Sequence, residues 1–167
     1  MRPQDIVILL KIVALKDEPW QNKDLARYLM ISASEISESL YRSAVAGLID
    51  ADQRKRVYRQ SLVEFLEHGL HYVFPAQPAS MTNGMYTAHS HTVMQKKFAN
   101  DSNVYVWPDP KGKVRGLSIE PLYKGQVEAA KKDQTLYLML CMVDVIRVGR
   151  VREVKFAVEQ LQELILA

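Results

Sequence analysis

Between residues 20 and 59 apolar side chains recur at helical spacing in two runs, separated by a short break and followed by a cluster of cations. No other stretch limits the fold as tightly. In the first run Leu25, Ala26 and Leu29 form an apolar face, and Asn22 is placed to cap it by accepting free N–H groups of the first turn. Residues 30–32 interrupt the pattern, and Ser32 or Ser34 can cap the second run. There Ile36, Leu40, Ala44 and Leu48 recur every four residues, which places them on one buried stripe. Gly47 stands at the exit, where a residue without a Cβ enters a left-handed turn. The opposite face carries Ser34, Glu35, Ser37, Glu38, Tyr41 and Arg42. After Leu48-Ile49, a short strand, Asp50-Ala51-Asp52 makes a turn into RKRVYR, with four positive charges in six residues.

Residues 32–49, SASEISESLYRSAVAGLI, fit the pattern S-x-S-E-(I/V)-S-x-x-L-x-R-x-x-x-x-G-L-(I/V) without a gap. The chain here resembles the winged helix-turn-helix regulators of the MarR-like kind, over residues 1–68. The resemblance implies a transcriptional regulator that binds a pseudo-palindromic operator on double-stranded DNA as a homodimer. A recognition helix (34–47) would enter the major groove, and a basic wing (50–59) would touch backbone or minor groove. Ser32 and Ser34 would open that helix; Ser34, Ser37, Glu38 and Tyr41 would face base edges, with Glu38 able to accept from a cytosine amino group. Arg42, Arg54, Lys55, Arg56 and Arg59 would hold phosphates. The remainder resembles uncharacterised bacterial regulator-like proteins through HGLHYVFPA, VRGLSIEPLY and VDVIRVGRVRE in the same order. That implies a shared architecture and nothing about chemistry.

The charge pattern supports nucleic acid only locally. Residues 1–68 hold ten Lys/Arg and ten Asp/Glu, so the formal +3 of the chain comes from residues 69–167. This neutrality keeps a second reading open: a winged-helix interaction module, an antitoxin or adaptor, whose C-terminal half binds a partner protein. Salt-dependent binding to duplex DNA separates the two. No Gly-rich phosphate loop, nucleophile elbow or HExxH motif suggests an enzyme, and no cofactor is expected.

In order, residues 3–15 read as a helix with Ile6, Val7, Leu10, Val13 and Ala14 on its apolar face, and not as a signal peptide. Gln60 or Ser61 opens a helix that Gly69 closes. From residue 69 a second, C-terminal α+β domain is expected, so the fold class is α+β with a boundary at 68/69. HYVF reads as a strand, residues 76–90 as a loop, and residues 93–99 fit neither helix nor strand clearly. VYVW and VRGLSI, joined by PDPKGK, suggest a β-hairpin. Residues 127–132 form a short helix, LYLMLCMVDVI a central one, and residues 150–166 the last. That last helix carries a stripe of Val151, Val154, Val158, Leu161 and Ile165, read as a dimer seam, with packing on the preceding helix as the other possibility. The C-terminal domain would also sense a small-molecule effector or a protein partner.

Cys141, the single cysteine, lies in the most apolar stretch, which suits a buried, inert thiol and a reducing cytoplasm. No apolar run reaches the roughly 20 residues that span a bilayer. All four histidines, His68, His71, His89 and His91, fall in one segment, but hydrogen-bonded histidines are a better expectation than a metal site. Asp144 and Arg147 are one helical turn apart in an apolar helix. They form either a buried pair, with Arg150 as the other possible partner, or part of a ligand-binding arginine cluster.

Overall fold

Helix α1 (Pro3–Leu15) is the axis of the core. In the computed structural model, which describes residues 1–98 and 103–167, Ile8, Leu9, Ile12 and Leu15 are buried along with Ile6, Val7, Leu10 and Val13. One apolar face was expected; the helix is covered on all sides. PQDIVILLKIVAL is apolar nearly all round, and such a helix is stable only when enclosed. Helices α2 (Asn22–Leu29) and α3 (Ala33–Val45) cover it from the first half of the chain. Helix α8 (Gln134–Val148) covers it from the second. Lys11, buried in α1, is neutralised by Asp133 at 2.7 Å.

Among the described residues the fold is α+β, with nine α-helices and one three-stranded mixed sheet. Gln21 rather than Asn22 caps α2, because Asp24 reaches back to the Gln21 N–H at 2.8 Å. Met30 then takes a left-handed conformation (φ 56°) and breaks the helix. Ser32 caps α3 by accepting the Glu35 N–H at 3.2 Å. Gly47 is left-handed (φ 76°) with open space around it, so its conformation alone requires glycine. Ile49 and Val57 form a single antiparallel bridge that closes the loop between them. Helix α4 (Arg59–His68) runs on into α5 (Leu70–Val73). The expected HYVF strand is therefore a further helical turn, held by Val73 and Phe74 N–H groups donating to the Gly69 and Leu70 carbonyls.

The second half departs further from expectation. Within the expected loop of residues 76–90 lie strand β1 (Met81–Tyr86) and a 3-10 turn (Ala88–Ser90). Strand β1 pairs antiparallel with both β2 (Tyr105–Pro108) and β3 (Val114–Ser118). Strands β2 and β3 are parallel to each other, pairing Tyr105 with Leu117 and Val106 with Ser118, so the expected hairpin does not form. Pro108 and Pro110 prevent an antiparallel ladder from propagating through the turn. Glycines let the three backbones converge. Gly84 pairs with both Pro108 and Val114, and a Cβ there would collide with the Trp107 carbonyl. A Cβ on Gly116 would lie 2.6 Å from the Val104 oxygen. Helix α6 (Thr92–Lys97) occupies most of the stretch that fitted neither pattern, whose end at Ala99 lies outside the described residues.

Helices α7 (Gln126–Lys131), α8 and α9 (Val151–Leu166) complete the chain. Asp133 caps α8 by accepting the Leu136 N–H at 3.0 Å. Asp144 and Arg147 form the buried pair, at 2.9 Å. Trp107 Nε1 and the Thr87 hydroxyl also donate to Asp144, while Arg147 donates to the Phe74 and Glu120 carbonyls. With these partners the pair ties strand, turn and helix together. Cys141 is fully buried, and burial pushes its thiol well above the ordinary range. One cluster of buried side chains runs across the expected 68/69 boundary, with α4 packed on α8 and α9 and α2 packed on α7. No helix among the described residues is long and apolar enough to cross a membrane.

Candidate nucleic-acid interface

Helix α3 is held by one face. Ile36, Ser39, Leu40 and Ser43 are buried, and Asp5 of α1, also fully buried, holds this face through Ser39 and Arg42. The Asp5 carboxylate accepts from the Ser39 hydroxyl at 2.6 Å and from Arg42 Nη2 and Nε at 2.8 and 3.0 Å. Burial works to raise its pKa, but Arg42, the Arg2 N–H and Ser39 outweigh burial and leave it below the usual carboxylate value. Arg42 is thus turned inward, against the expectation that it holds phosphate. The fully buried carboxylate needs its charge, and Arg42 lies within reach from the adjoining face of α3. Its ion pair is with Asp5 and not with Glu38 four residues earlier.

The other face of α3 is open. Ser34, Ser37, Glu38 and Tyr41 are all exposed, and Val45 is 72% exposed. Ser32 sits at the start of the helix, its hydroxyl engaged as the cap and 3.3 Å from that of Ser34.

Beside this face lies the loop of residues 50–56, built around an aspartate. The Asp50 carboxylate accepts the N–H groups of Gln53, Arg54, Lys55 and Arg56 at 3.0, 3.2, 2.7 and 2.6 Å. These bonds, led by that from Arg56, hold its pKa below the ordinary value. They also place Arg54 in a left-handed conformation (φ 54°) at the turn. From here Arg54 stacks 5.2 Å over the Tyr41 ring, which joins the loop to α3. Lys55 donates to the Trp20 carbonyl at 2.6 Å and lies 3.8 Å over its ring, and Arg56 lies 5.7 Å from the Tyr58 ring. All three retain solvent-facing surface. Between loop and helix is a hollow of about 180 Å³ bordered by Asn22, Ser37, Asp52 and Arg54.

Arg59 does not belong to this cluster. It starts α4 and donates to the Ile165 and Ala167 carbonyls at 2.8 and 3.1 Å, binding the end of α9. The structure therefore sets Arg54 beside Tyr41 and Ser37, leaves Ser34 and Glu38 exposed on the same helix and Lys55 and Arg56 exposed on the same loop, and sets Arg42 and Arg59 to internal work. Sequence reasoning assigned Asp50 only to a turn. Its position before a run of loop N–H groups was the available signal, since an aspartate commonly bonds the backbone just after it.

The other expected sites lie elsewhere. Of the α9 stripe, Val158, Leu161 and Ile165 are buried in this chain's own core, Val154 is half-buried and Val151 is 87% exposed. Helices α4 and α8 both pack on α9, while the start of the stripe borders open surface. His68 and His71 are exposed at the α4–α5 junction. His89 is buried with Nε2 3.1 Å from Glu153, and His91 Nδ1 accepts the Val93 N–H at 3.2 Å. Among the described residues no three metal-ligating side chains converge. Comparison with protein-family models, curated proteins and solved structures finds no match for this chain.

Proposed function

We propose that this protein is a DNA-binding transcriptional regulator, working in the cytoplasm as a homodimer on a pseudo-palindromic operator. Its first half would act as a winged helix-turn-helix, with α3 reading bases and the loop of residues 50–56 serving as the wing. The observation that carries this reading is the division of α3. One face is locked into the core through Ile36, Leu40 and the Asp5–Arg42 pair, while Ser34, Ser37, Glu38 and Tyr41 stay exposed beside three loop cations. Small polar side chains suit close approach to base edges, and cations on a rigid flanking loop suit phosphates. Arg54, stacked on Tyr41, joins the loop to the helix.

The experiment is duplex binding by fluorescence anisotropy across a salt series. Replacing Arg54 and Arg56 with Ala should weaken all duplexes alike and reduce the salt slope by about two phosphate equivalents. An unchanged slope would take the loop off the DNA. One observation favours the interaction-module reading: Val45 and Tyr41, 72% and 57% exposed, put apolar surface on the same face. Under that reading wild-type protein shows no salt-dependent duplex binding at all.

A further inference from the structure

A hollow on the surface lies away from α3, between the α4–α5 junction and the first half of α9. Its volume is about 640 Å³, and Ile146, Val154 and Val158 contribute apolar surface to it. Tyr72 and Val151 line the same hollow and are 81% and 87% exposed, with Val73, next along α5, 52% exposed. Single exposed apolar residues are ordinary, but large ones gathered around one groove mark a surface that meets something. Tyrosine is also among the side chains enriched where proteins meet.

We propose that this groove is where a second copy of the chain docks, about a twofold axis. The proposal deepens the reading above, resting on its homodimer, and supplies a contact that the buried part of the α9 stripe does not. A twofold contact uses one patch on both molecules, so the patch must be complementary to itself. This one carries a projecting side chain, Tyr72, beside a hollow that can receive one. Its border carries both signs of charge, Glu67 and Glu159 against Lys155, with His68 and His71 beside them. Rotation by a half-turn can therefore set acid against base. A nucleic acid or an anionic surface would call for one sign only, which this border lacks.

The test is sedimentation velocity of the full chain over roughly 1–100 µM, alongside Tyr72→Glu and Val151→Glu. Both positions are exposed on helices, and Val151 opens α9, where an acidic residue favours the helix. Far-UV circular dichroism should therefore match wild type, and each variant should still melt cooperatively, at a lower temperature only by what the lost dimer contributed. Wild type should sediment as a dimer, and each variant should raise the dissociation constant a hundredfold or more. Val45→Glu, an equally exposed apolar site on α3, should leave the dimer intact. A wild type that is monomeric throughout would overturn the proposal in favour of a small apolar ligand or a different protein in the groove. A dimer indifferent to both substitutions would overturn it in favour of another face. If the variants split the dimer but no duplex binds, the groove stands and the regulator reading fails.

Discussion

At the scale of single residues, the buried carboxylates decide where cations go. Arg42 is adjacent in sequence to the exposed Tyr41, and its helix spacing would allow it to face solvent. Asp5 decides the matter from 37 positions away. The hint was present in each segment separately, as an aspartate in a nearly all-apolar helix and as Ser39 beside an apolar stripe. A pairing across that distance is not visible in either periodicity. Arg42→Ala should therefore act on stability, leaving Asp5 buried without its counter-charge at a cost of about 3–5 kcal/mol, read as a lower urea midpoint. The pH dependence has a definite sign. Because the folded Asp5 pKa lies below its ordinary 3.8, its contribution is complete above that value and disappears as pH falls through the folded value. Without Arg42 the folded value rises, so acid unfolding should begin at higher pH. A variant with the wild-type midpoint and acid profile would mean that solvent replaces the guanidinium.

At the scale of elements, the long helices and strands β2 and β3 were legible, while β1, the two short helices α5 and α6 and the pairing of the strands were not. The α3 and α8 patterns, the cap of α3 at Ser32, one of the two serines expected there, and the left-handed Gly47 all stand where the spacing put them. Strand β1 escaped notice because MTNGMY buries only Gly84 and so shows no apolar alternation. Its place is set by two neighbouring strands that only glycine lets close. HYVF misled in the opposite sense, since its aromatic and β-branched residues suit a strand while the turn continues from α4. The α9 stripe was legible as an apolar face, but periodicity does not say what covers it. Here α4 and α8 pack on α9 and Leu161 is 1% exposed within the single chain, so Leu161→Asp should unfold the protein rather than merely separate two copies. Circular dichroism with analytical ultracentrifugation distinguishes these outcomes. A folded Leu161→Asp monomer would return the stripe to a subunit seam.

At the scale of the whole molecule, one core serves both halves of the chain. A resemblance confined to residues 1–68 invites a boundary there, but α1 needs α8 as much as it needs α2 and α3. The Lys11–Asp133 pair, and the Tyr123 hydroxyl donating to the Leu29 carbonyl at 3.0 Å, tie the halves together with polar contacts as well. Arg59 adds a third tie, to the last turn of α9. A fragment of residues 1–68 would expose the side of α1 that α8 covers, including parts of a run, Ile6 to Leu10, in which every residue is now fully buried. Solvating even a few such side chains costs about 1.5–3 kcal/mol each, comparable in sum to the roughly 5–15 kcal/mol that stabilises a whole domain. The fragment should therefore lack a cooperative thermal transition and bind hydrophobic dye. The intact chain should unfold in a single step, with far-UV circular dichroism and tryptophan fluorescence coinciding, because Trp20 reports on the first half and Trp107 on the second. Two separated transitions, or a fragment that melts cooperatively on its own, would show that the first half carries a sufficient core without α8.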